Sequence, residues 1–296
     1  MAATDHEAGT DAGPDAGPGT GAASLAGKTI LMSGGSRGIG LAIALRAARD
    51  GANVVLLAKT DKPDPRLEGT IHTAAAAIEA AGGRVLAVVG DVRSDEAVSR
   101  AVEGAVSAFG GIDVVLNNAS VLTLAGTLEL TPKRYDLMQD VNVRGTYMLT
   151  RAALPHLLHA GNPHILTLSP PLNLAPQWLG SHPAYTLAKY GMTLCTLAFA
   201  AEFAGQGVAA NALWPRTTIA TAAVANILGG AEMVRRSRTP EIVADAAHAI
   251  LTTPARELTG QVLIDEDVLR ERGMEDFSQY AVDPSEELMP DLYLNP

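Results

Sequence analysis

Short apolar runs alternate with longer, helix-like segments along most of this chain. The alternation starts near Leu25 and continues to about Ile264. Apolar runs of strand length that alternate with helical patterns of about 10 to 15 residues are typical of βαβ units around a parallel sheet. The pattern therefore predicts an α/β protein: a doubly wound, Rossmann-type fold with a seven-stranded, mainly parallel sheet flanked by helices, in a single domain at residues 25–264.

Seven runs are predicted to be the strands of that sheet. In chain order they are TILM, NVVLLA, RVLAVVG, IDVVL, HILTL, VAANALWP and the run from Gln261 to Ile264. The helices predicted between them include SDEAVSRAVEGAVSAF with Ser94 as its N-cap, one long helix from about Thr131 to Leu158, and AYTLAKYGMTLCTLAFAAEF. Farther along, RTTIATAAVANILGG is predicted to be an apolar helix, and TPEIVADAAHAILT a helix capped by Thr239.

The two ends of the chain lack this periodicity. Residues 1–24 consist largely of Ala, Gly, Asp, Pro and Thr, and such a composition cannot bury enough apolar surface to offset the entropy of ordering. We expect a disordered tail there. Residues 265–296 contain Tyr280, Met289 and the run from Leu292 to Leu294, which are too apolar to remain in solvent. We expect this C-terminal extension to pack on the domain or on a second subunit.

Composition narrows the class of protein. The net charge is -10, with 22 basic and 32 acidic residues, and no basic cluster offers a nucleic-acid interface. The single cysteine, Cys195, lies in an apolar helical pattern that favours a packing role, and one cysteine cannot form an internal disulfide. No apolar run has the length of a membrane span, and no secretory signal is visible. We therefore expect a soluble, cytoplasmic protein.

A glycine-rich turn joins the first predicted strand to the first helix. It consists of Gly34, Gly35, Ser36, Arg37, Gly38, Ile39 and Gly40. Glycines in such a turn allow backbone N–H groups at a helix N-terminus to approach a pyrophosphate, and the strand, turn and helix order makes this interpretation stronger than a glycine triplet alone. A tight turn without a ligand is the alternative. We predict that this turn binds the phosphates of a dinucleotide.

The second predicted strand leads into Lys59, at the position where a carboxylate usually binds the adenosine ribose hydroxyl. A cation at this position, together with Arg37 in the glycine-rich turn, can pair with a ribose 2'-phosphate. Asp61 nearby weakens the inference, and the alternative for each cation is a solvated surface charge. The sequence favours NADP(H) over NAD(H).

Tyr185 and Lys189 are four residues apart in a predicted helix, so both side chains lie on one face about one turn apart. A neighbouring ammonium favours the phenolate, which lowers the pKa of Tyr185 and allows proton exchange at neutral pH. Ser169 follows the predicted strand HILTL, at the edge of the sheet where parallel sheets bind ligands. For Tyr185 and Lys189, the alternative is an ordinary pair on the surface of the helix.

Asn142 is a poor helix former in the middle of the long predicted helix, and this unfavourable choice also suggests a function.

These motifs resemble those of the short-chain dehydrogenase/reductase family from about Leu25 to Ile264. They are Ser33-Gly34-x-x-x-Gly38-Ile39-Gly40, Asn117-Asn118-Ala119, the set of Ser169, Tyr185 and Lys189, and the turn at Pro215. Within the family, LLAKTDKPDP, KRYDLM, LSPPLNLAPQWL, AYTLAKYGM and NALWPRT resemble the hydroxysteroid dehydrogenase-like protein 2 group. That likeness continues into the C-terminal residues, without a counterpart of the sterol-carrier domain that some members of the group carry.

The resemblance implies a role for each matching residue. Tyr185 would be the general acid/base, Lys189 would lower its pKa and hold the nicotinamide ribose, Ser169 would fix the substrate oxygen, and Asn142 would hold a water that relays protons to Lys189. For the cofactor it implies phosphate binding by residues 34–40 and further contacts from Arg37, Lys59, Asp91, Val92, Asn118 and Pro215. Departures from the family pattern are Ser33, Ser120 and Arg216, and a spacing of 16 residues between Ser169 and Tyr185.

The sequence therefore predicts an oxidoreductase that transfers a hydride between NADP(H) and a carbonyl or secondary alcohol. The segments PPLNLAPQWLG and ATAAVANIL would line a pocket for a fatty, terpenoid or steroid-like substrate, with core or subunit contact as the alternative. A non-catalytic NADP(H)-binding regulator or scaffold is the second hypothesis. Metal catalysis is a third option with poor support, because no carboxylate or thiol joins His156 and His159. The family's use of the helix with Tyr185 as a subunit interface implies a homodimer or homotetramer.

Overall fold

The computed structural model describes residues 23–64 and 68–294. Most of the predicted N-terminal tail, residues 1–22, lies outside the described residues, and so do residues 65–67 and the last two residues of the C-terminal extension. Within the part that is described, no helix combines the length and the apolar character needed to cross a bilayer.

One parallel sheet organises the described chain, in the strand order β3-β2-β1-β4-β5-β6-β7. The strands are β1 (Thr29–Ser33), β2 (Asn53–Ala58), β3 (Arg84–Val89), β4 (Val114–Asn117), β5 (His164–Leu168), β6 (Ala209–Trp214) and β7 (Val262–Ile264). Every residue of β1, β2, β4, β5 and β6 is buried, because a parallel sheet is covered on both faces and its strands are apolar runs. The predicted seven-stranded, doubly wound fold is confirmed, and all pairs are parallel.

Helices cover both faces of the sheet. They are α1 (Gly38–Ala48), α2 (Ile71–Ala80), α3 (Asp95–Phe109), α4 (Pro132–Met138), α5 (Gly145–Leu157), α6 (Pro176–Ser181), α7 (Pro183–Phe203), α8 (Gly230–Arg235), α9 (Glu241–Leu251) and α10 (Asp265–Glu271). One apolar core joins the sheet to α1, α2 and α9, and a second joins the other face to α3, α5 and α7. The Ser94 side chain accepts a hydrogen bond from the Ala97 N–H and caps α3 as predicted.

The carboxyl ends of the central strands meet at one edge of the sheet. Ser33 at the end of β1 is in register with Asn117 of β4, and Asn117 is in register with Thr167 of β5. The strand order reverses at this point, because β1 lies between β2 and β4. Open α/β sheets bind ligands in the crevice outside such a switch point. We therefore expect a ligand site at the loops after β1, β4 and β5.

Two helix predictions need correction. The long helix predicted from Thr131 to Leu158 contains a π-helical stretch, Gln139–Arg144, between α4 and α5. The predicted helix RTTIATAAVANILGG is mostly not α-helical, since Thr217 and Ile219 form bridges to Pro290 and Arg238 and a second π-helical stretch, Val224–Leu228, follows. Pairing with distant segments of the chain has overridden the local helical pattern.

The predicted cap of α9 also differs. Pro240 occupies the N-cap position and no side chain caps the helix there. The backbone N–H of Thr239 instead donates to the carbonyl oxygen of Tyr280 at 2.7 Å. This contact ties the start of α9 to the C-terminal extension, whose residues Tyr280 and Tyr293 are 5% and 1% exposed.

Candidate active site

The glycine-rich turn after β1 is shaped by glycines that leave no room for a side chain. Gly34 and Gly38 have φ angles of +72° and +56°, in the left-handed region that favours glycine. A Cβ atom on Gly40 would lie 2.5 Å from Asn118 Nδ2 and from the Gly34 carbonyl oxygen. Asn118 Nδ2 donates to the carbonyl oxygens of Ser33 and Gly34. The turn is therefore held against the end of β4, directly before α1 begins.

A groove of about 460 Å³ opens beside this turn. α1 starts after Arg37, and no side chain caps its first N–H groups. Uncapped N–H groups at a helix N-terminus bind phosphate, so the turn and the groove fit a dinucleotide. The predicted residues that line the groove are Gly34, Ser36, Arg37, Gly38, Ile39, Lys59, Asp91, Val92 and Asn118. Gly35 and Gly40 are not among the lining residues, and they give the turn space against Leu56 and Asn118 instead.

Charged side chains surround the end of the groove near β2 and β3. Arg37 Nε and Nη2 donate to the carbonyl oxygens of Glu68 and Gly69, both at 2.8 Å, which fixes the guanidinium beside the groove. The exposed Lys59 lines the same end. Asp91 forms an ion pair with Arg93 at 2.8 Å, and this contact lowers the pKa of Asp91. The carboxylate is already paired, whereas both cations border the groove.

Ser169 and Lys189 lie at the end of β5, and Tyr185 lies one turn before Lys189 on α7. Ser169, Tyr185 and Lys189 are 0%, 6% and 4% exposed, so the alternative of a surface pair is wrong. Lys189 Nζ donates to the Leu168 carbonyl oxygen at 2.8 Å and lies 5.2 Å from the centre of the Trp214 ring. Ser169 Oγ accepts a hydrogen bond from Thr193 Oγ1 at 2.9 Å. Because Tyr185, Lys189 and Thr193 are four residues apart on α7, one face of this helix supplies all three.

These side chains do not line the open groove. The groove lining ends near Val121, Leu122 and Val141, and Ser169, Tyr185 and Lys189 lie outside that lining. Pro215 is buried directly after β6, also outside the lining.

Burial dominates the electrostatics of this group. Desolvation lowers the pKa of Lys189 to about 8. Desolvation also raises the pKa of Tyr185 well above its usual value, and the nearby Tyr293 and Asp291 add to the rise. The lowered pKa predicted for Tyr185 from its spacing to Lys189 is therefore wrong in this structure, because burial raises the pKa and Tyr293 and Asp291 add to the rise.

Asn142 lies in the π-helical stretch between α4 and α5 and is fully buried. Its Oδ1 accepts a hydrogen bond from the Val121 N–H at 2.8 Å, and its Nδ2 donates to the Val121 carbonyl oxygen at 3.1 Å. These two bonds fix the segment after β4 that lines the groove. The water relay to Lys189 that the resemblance implies stays a prediction.

Among the described residues, no group of three or more His, Cys, Asp or Glu side chains is placed to hold a metal ion.

Three residues of this site were not predicted from the sequence: Thr193, Trp214 and Tyr293. Thr193 orients Ser169, and the Trp214 ring faces the Lys189 ammonium. The Tyr293 ring lies 6.4 Å from the Tyr185 ring. The apolar residues near the C-terminus indicated that this segment packs on something, but their spacing carried no information on where.

Comparison with known proteins adds an independent finding. A family model described as short chain dehydrogenase matches residues 28–229. The hydroxysteroid dehydrogenase-like protein 2 of Danio rerio is 55% identical over 271 residues. That alignment covers 92% of this chain and 65% of the relative, so this chain spans somewhat less than two thirds of the relative's length.

Solved structures agree in fold. A crystal structure of a protein from Xanthomonas campestris is 57% identical, with a TM-score of 0.89 over 92% of this chain and 100% of that chain. A short chain dehydrogenase from Mycobacterium thermoresistibile is 54% identical, with a TM-score of 0.87 over 92% of this chain and 96% of that chain. The predicted family and the predicted likeness to the hydroxysteroid dehydrogenase-like protein 2 group are confirmed.

Proposed function

Because this chain belongs to the short-chain dehydrogenase family, whose members are NAD(P)-dependent oxidoreductases, we propose that it transfers a hydride between NADP(H) and a carbonyl compound or secondary alcohol. The observation that carries the proposal is the buried set of Ser169, Tyr185 and Lys189 at the end of β5, next to a groove that fits a dinucleotide.

The preference for NADP(H) rests on charge. Arg37 and Lys59 border the groove where β2 ends, and Lys59 stands where a carboxylate would bind the ribose hydroxyl. A 2'-phosphate would accept charge-assisted hydrogen bonds from both side chains. Among the described residues, Asp91 is the only other charged side chain that lines the groove, and it forms an ion pair with Arg93. The Asp91 carboxylate therefore opposes a phosphate less than an unpaired carboxylate would.

The proposed chemistry assigns one step to each side chain. When bound, the nicotinamide ring supplies or accepts the hydride. In reduction, Tyr185, which burial keeps protonated at neutral pH, donates its proton to the oxygen that gains negative charge. Lys189 keeps most of its ammonium form below its pKa of about 8, and this charge stabilises the phenolate that Tyr185 becomes. Ser169, oriented by Thr193, donates a hydrogen bond to the same substrate oxygen.

The proposed substrate is apolar. Leu172, Leu174 and Leu179 lie in the segment around α6 and are 39%, 69% and 42% exposed. These leucines are not among the residues that line the groove, whereas Ala222, Ala223 and Ile227 are. Apolar side chains that border a ligand site favour fatty, terpenoid or steroid-like compounds.

We further propose a homodimer or homotetramer formed through α7. Leu187 and Leu194 are seven residues apart, lie on the outward face of this helix and are 58% and 55% exposed. Tyr147 on the adjacent α5 is 47% exposed. Exposed apolar side chains that cluster on neighbouring helices are typical of subunit contacts.

A test of the catalytic proposal is NADPH oxidation in the presence of a panel of medium-chain aldehydes and ketones. We expect turnover by the wild type, and we expect Tyr185→Phe to lower kcat/KM by roughly 10²- to 10⁴-fold, because the positioned proton donor is lost. NADPH binding, measured by calorimetry, should persist in Tyr185→Phe. Equal rates in both proteins would contradict the mechanism, and binding without turnover would favour the non-catalytic regulator or scaffold.

A further inference from the structure

The last described part of the C-terminal extension packs against α7 beside the proposed proton donor. We call this segment, residues 289–294, the strap. Its Tyr293 ring is 1% exposed, and the ring centre lies 6.4 Å from that of Tyr185. Leu292 and Leu294 pack on the same apolar cluster, which contains both tyrosines. The strap therefore covers α7 on the side where Tyr185 lies.

The open groove does not reach the groups that the proposed reaction uses. Tyr185 and Lys189 are 6% and 4% exposed, and neither lines the groove. Val121 and Leu122 line the groove and also pack on the cluster around Tyr293. Because hydride transfer needs the nicotinamide ring in contact with a carbonyl compound beside Tyr185, the nicotinamide end of the cofactor needs space that this cluster now fills.

Hydrogen bonds to other segments, rather than a helix or a strand of its own, hold the described strap in place. Their donor–acceptor distances are 2.8 to 3.1 Å, and they join Met289 N–H to Arg236 O, Thr218 N–H to Met289 O, Asp291 N–H to Arg216 O, Trp214 Nε1 to Leu292 O and Asn173 Nδ2 to Tyr293 O. Residues 214–218 continue into Thr221, Ala222 and Ala223, which line the groove. The strap is thus tied to the segment that forms one wall of the groove.

Two features of the strap oppose the position that it holds. Tyr293 has φ of 70° and is the only residue other than glycine with positive φ in the described part of the chain. Such a backbone persists only when the surroundings enforce it. Desolvation raises the pKa of Asp291 to about 7, and Asp265 adds to the rise while Lys189 opposes it. The strap is therefore held closed against local strain and against the burial of a carboxylate.

We propose that the strap is an autoinhibitory element: it separates Tyr185 and Lys189 from the groove, and NADP(H) must displace it before the nicotinamide end can reach Tyr185. This inference rests on the proposed function, because the displaced strap gives access to the groups of that reaction. The adenosine end of the cofactor binds in the groove while the strap is closed. Closure lowers the apparent affinity for the whole cofactor in proportion to the fraction of molecules that are open.

The binding test compares NADPH with adenosine 2',5'-bisphosphate, which lacks the nicotinamide end, by calorimetry. Tyr293→Gly removes the ring, and glycine adopts φ of 70° without strain. We expect this variant to lower the Kd of NADPH about tenfold or more, because a minor open state holds about 10% of the molecules or less. The Kd of adenosine 2',5'-bisphosphate should stay within about twofold, since a ligand with equal affinity for both states shifts nothing.

Two further variants accompany this test. Tyr293→Phe keeps the ring and should bind both ligands as the wild type does. If Tyr293→Gly does not fold, Asn173→Asp replaces it, because it keeps the Oδ1 that accepts from the Ala175 N–H and places an oxygen against the Tyr293 carbonyl oxygen. A purely structural role of Tyr293 predicts an unchanged or higher Kd of NADPH in the folded variant, and that result would overturn the proposal.

Hydrogen–deuterium exchange measures displacement of the strap without turnover. In the wild type, NADPH should speed exchange of the Met289 and Asp291 amides about tenfold or more, whereas adenosine 2',5'-bisphosphate should leave them protected. Displacement by NADPH without reduction of any carbonyl compound would support the autoinhibitory strap and count against the proposed function. Reduction of a carbonyl compound while both amides stay protected would support the proposed function and overturn the strap proposal.

Discussion

Lys189 carries its charge in a buried position, between the Leu168 carbonyl and the face of Trp214. Desolvation makes the charged form unfavourable there and lowers the pKa to about 8. The proposed reaction needs the ammonium, because it stabilises the phenolate formed on Tyr185. A lysine is therefore placed where its protonation state responds to moderately alkaline pH.

This placement predicts the pH dependence of carbonyl reduction. We expect kcat/KM to be constant at neutral pH and to fall as pH rises through about 8, since Lys189 loses its proton above that pKa. The measurement is the pH profile of kcat/KM with saturating NADPH. A rate that stays flat well above pH 8 would show that the charge of Lys189 does not enter the reaction.

Lys59 carries the proposed cofactor preference. We expect Lys59→Ala to raise the Kd of NADPH about tenfold or more and to leave that of NADH nearly unchanged, because a charge-assisted hydrogen bond contributes about 1.5–3 kcal/mol. Calorimetric titration of both cofactors measures the difference. Lys62→Ala is the control, since Lys62 is an exposed neighbour outside the groove lining. An equal loss for both cofactors would remove the argument for a 2'-phosphate site.

For single residues, the sequence predicted those features of the site that depend on local spacing. The four-residue interval between Tyr185 and Lys189 placed both on one face of α7, and the glycine spacing predicted the turn beside the groove. The pKa of Tyr185 could not be predicted in the same way, because it depends on burial and on Tyr293 and Asp291, more than 100 residues away along the chain.

Helices α1 and α9 are joined by a partly buried carboxylate. Asp50 Oδ2 accepts a hydrogen bond from the Leu25 N–H at 2.8 Å and lies 2.7 Å from His248 Nε2, while Oδ1 lies 3.0 Å from Arg46 Nη1. Burial opposes the charge, but the bonds from Leu25, His248 and Arg46 outweigh it and lower the pKa of Asp50 to about 2. The ionised carboxylate therefore stabilises the folded state.

We expect Asp50→Asn to lower the free energy of unfolding by about 1–3 kcal/mol at neutral pH. A carboxylate with a lowered pKa stabilises above its ordinary value of 3.8 and loses that effect as pH falls toward about 2. Wild type and variant should therefore converge over that range in urea titrations. Asp61→Asn is the control, because Asp61 pairs with His72 on an exposed surface, and such pairs contribute little. Equal stability of Asp50→Asn and wild type at neutral pH would contradict the assignment.

Elements that depend on local pattern were predictable, and elements that depend on distant pairing were not. The strands are apolar because both faces of the sheet are covered, so their positions could be predicted. The segment containing Thr217 has a helical composition, yet Thr217 pairs with Pro290 and the Thr218 N–H donates to the Met289 carbonyl oxygen. Asn142, which the sequence marked as a poor helix former with a possible function, lies in the π-helical stretch, but the stretch itself was not predicted.

Exposed leucines on α7 support the proposed homodimer or homotetramer. We expect a variant with both Leu187→Glu and Leu194→Glu to sediment as a smaller species than wild type, because charges on the outward face of α7 oppose burial of that face. Leu128→Glu is the matched control, since Leu128 is a fully exposed leucine that is not part of α7. Analytical ultracentrifugation measures the difference. Identical sedimentation of the double variant and wild type would place the subunit contact elsewhere or exclude one.

At the scale of the whole molecule, we propose that hydride passes from NADPH to a carbonyl carbon beside Tyr185. The most direct measurement is mass spectrometry of the alcohol formed with NADPH that carries deuterium at the transferable position of the nicotinamide ring. We predict one deuterium in the product of the wild type and a rate of label transfer lower by roughly 10²- to 10⁴-fold in Tyr185→Phe. Unlabelled alcohol, or label transfer at the same rate in both proteins, would contradict the account.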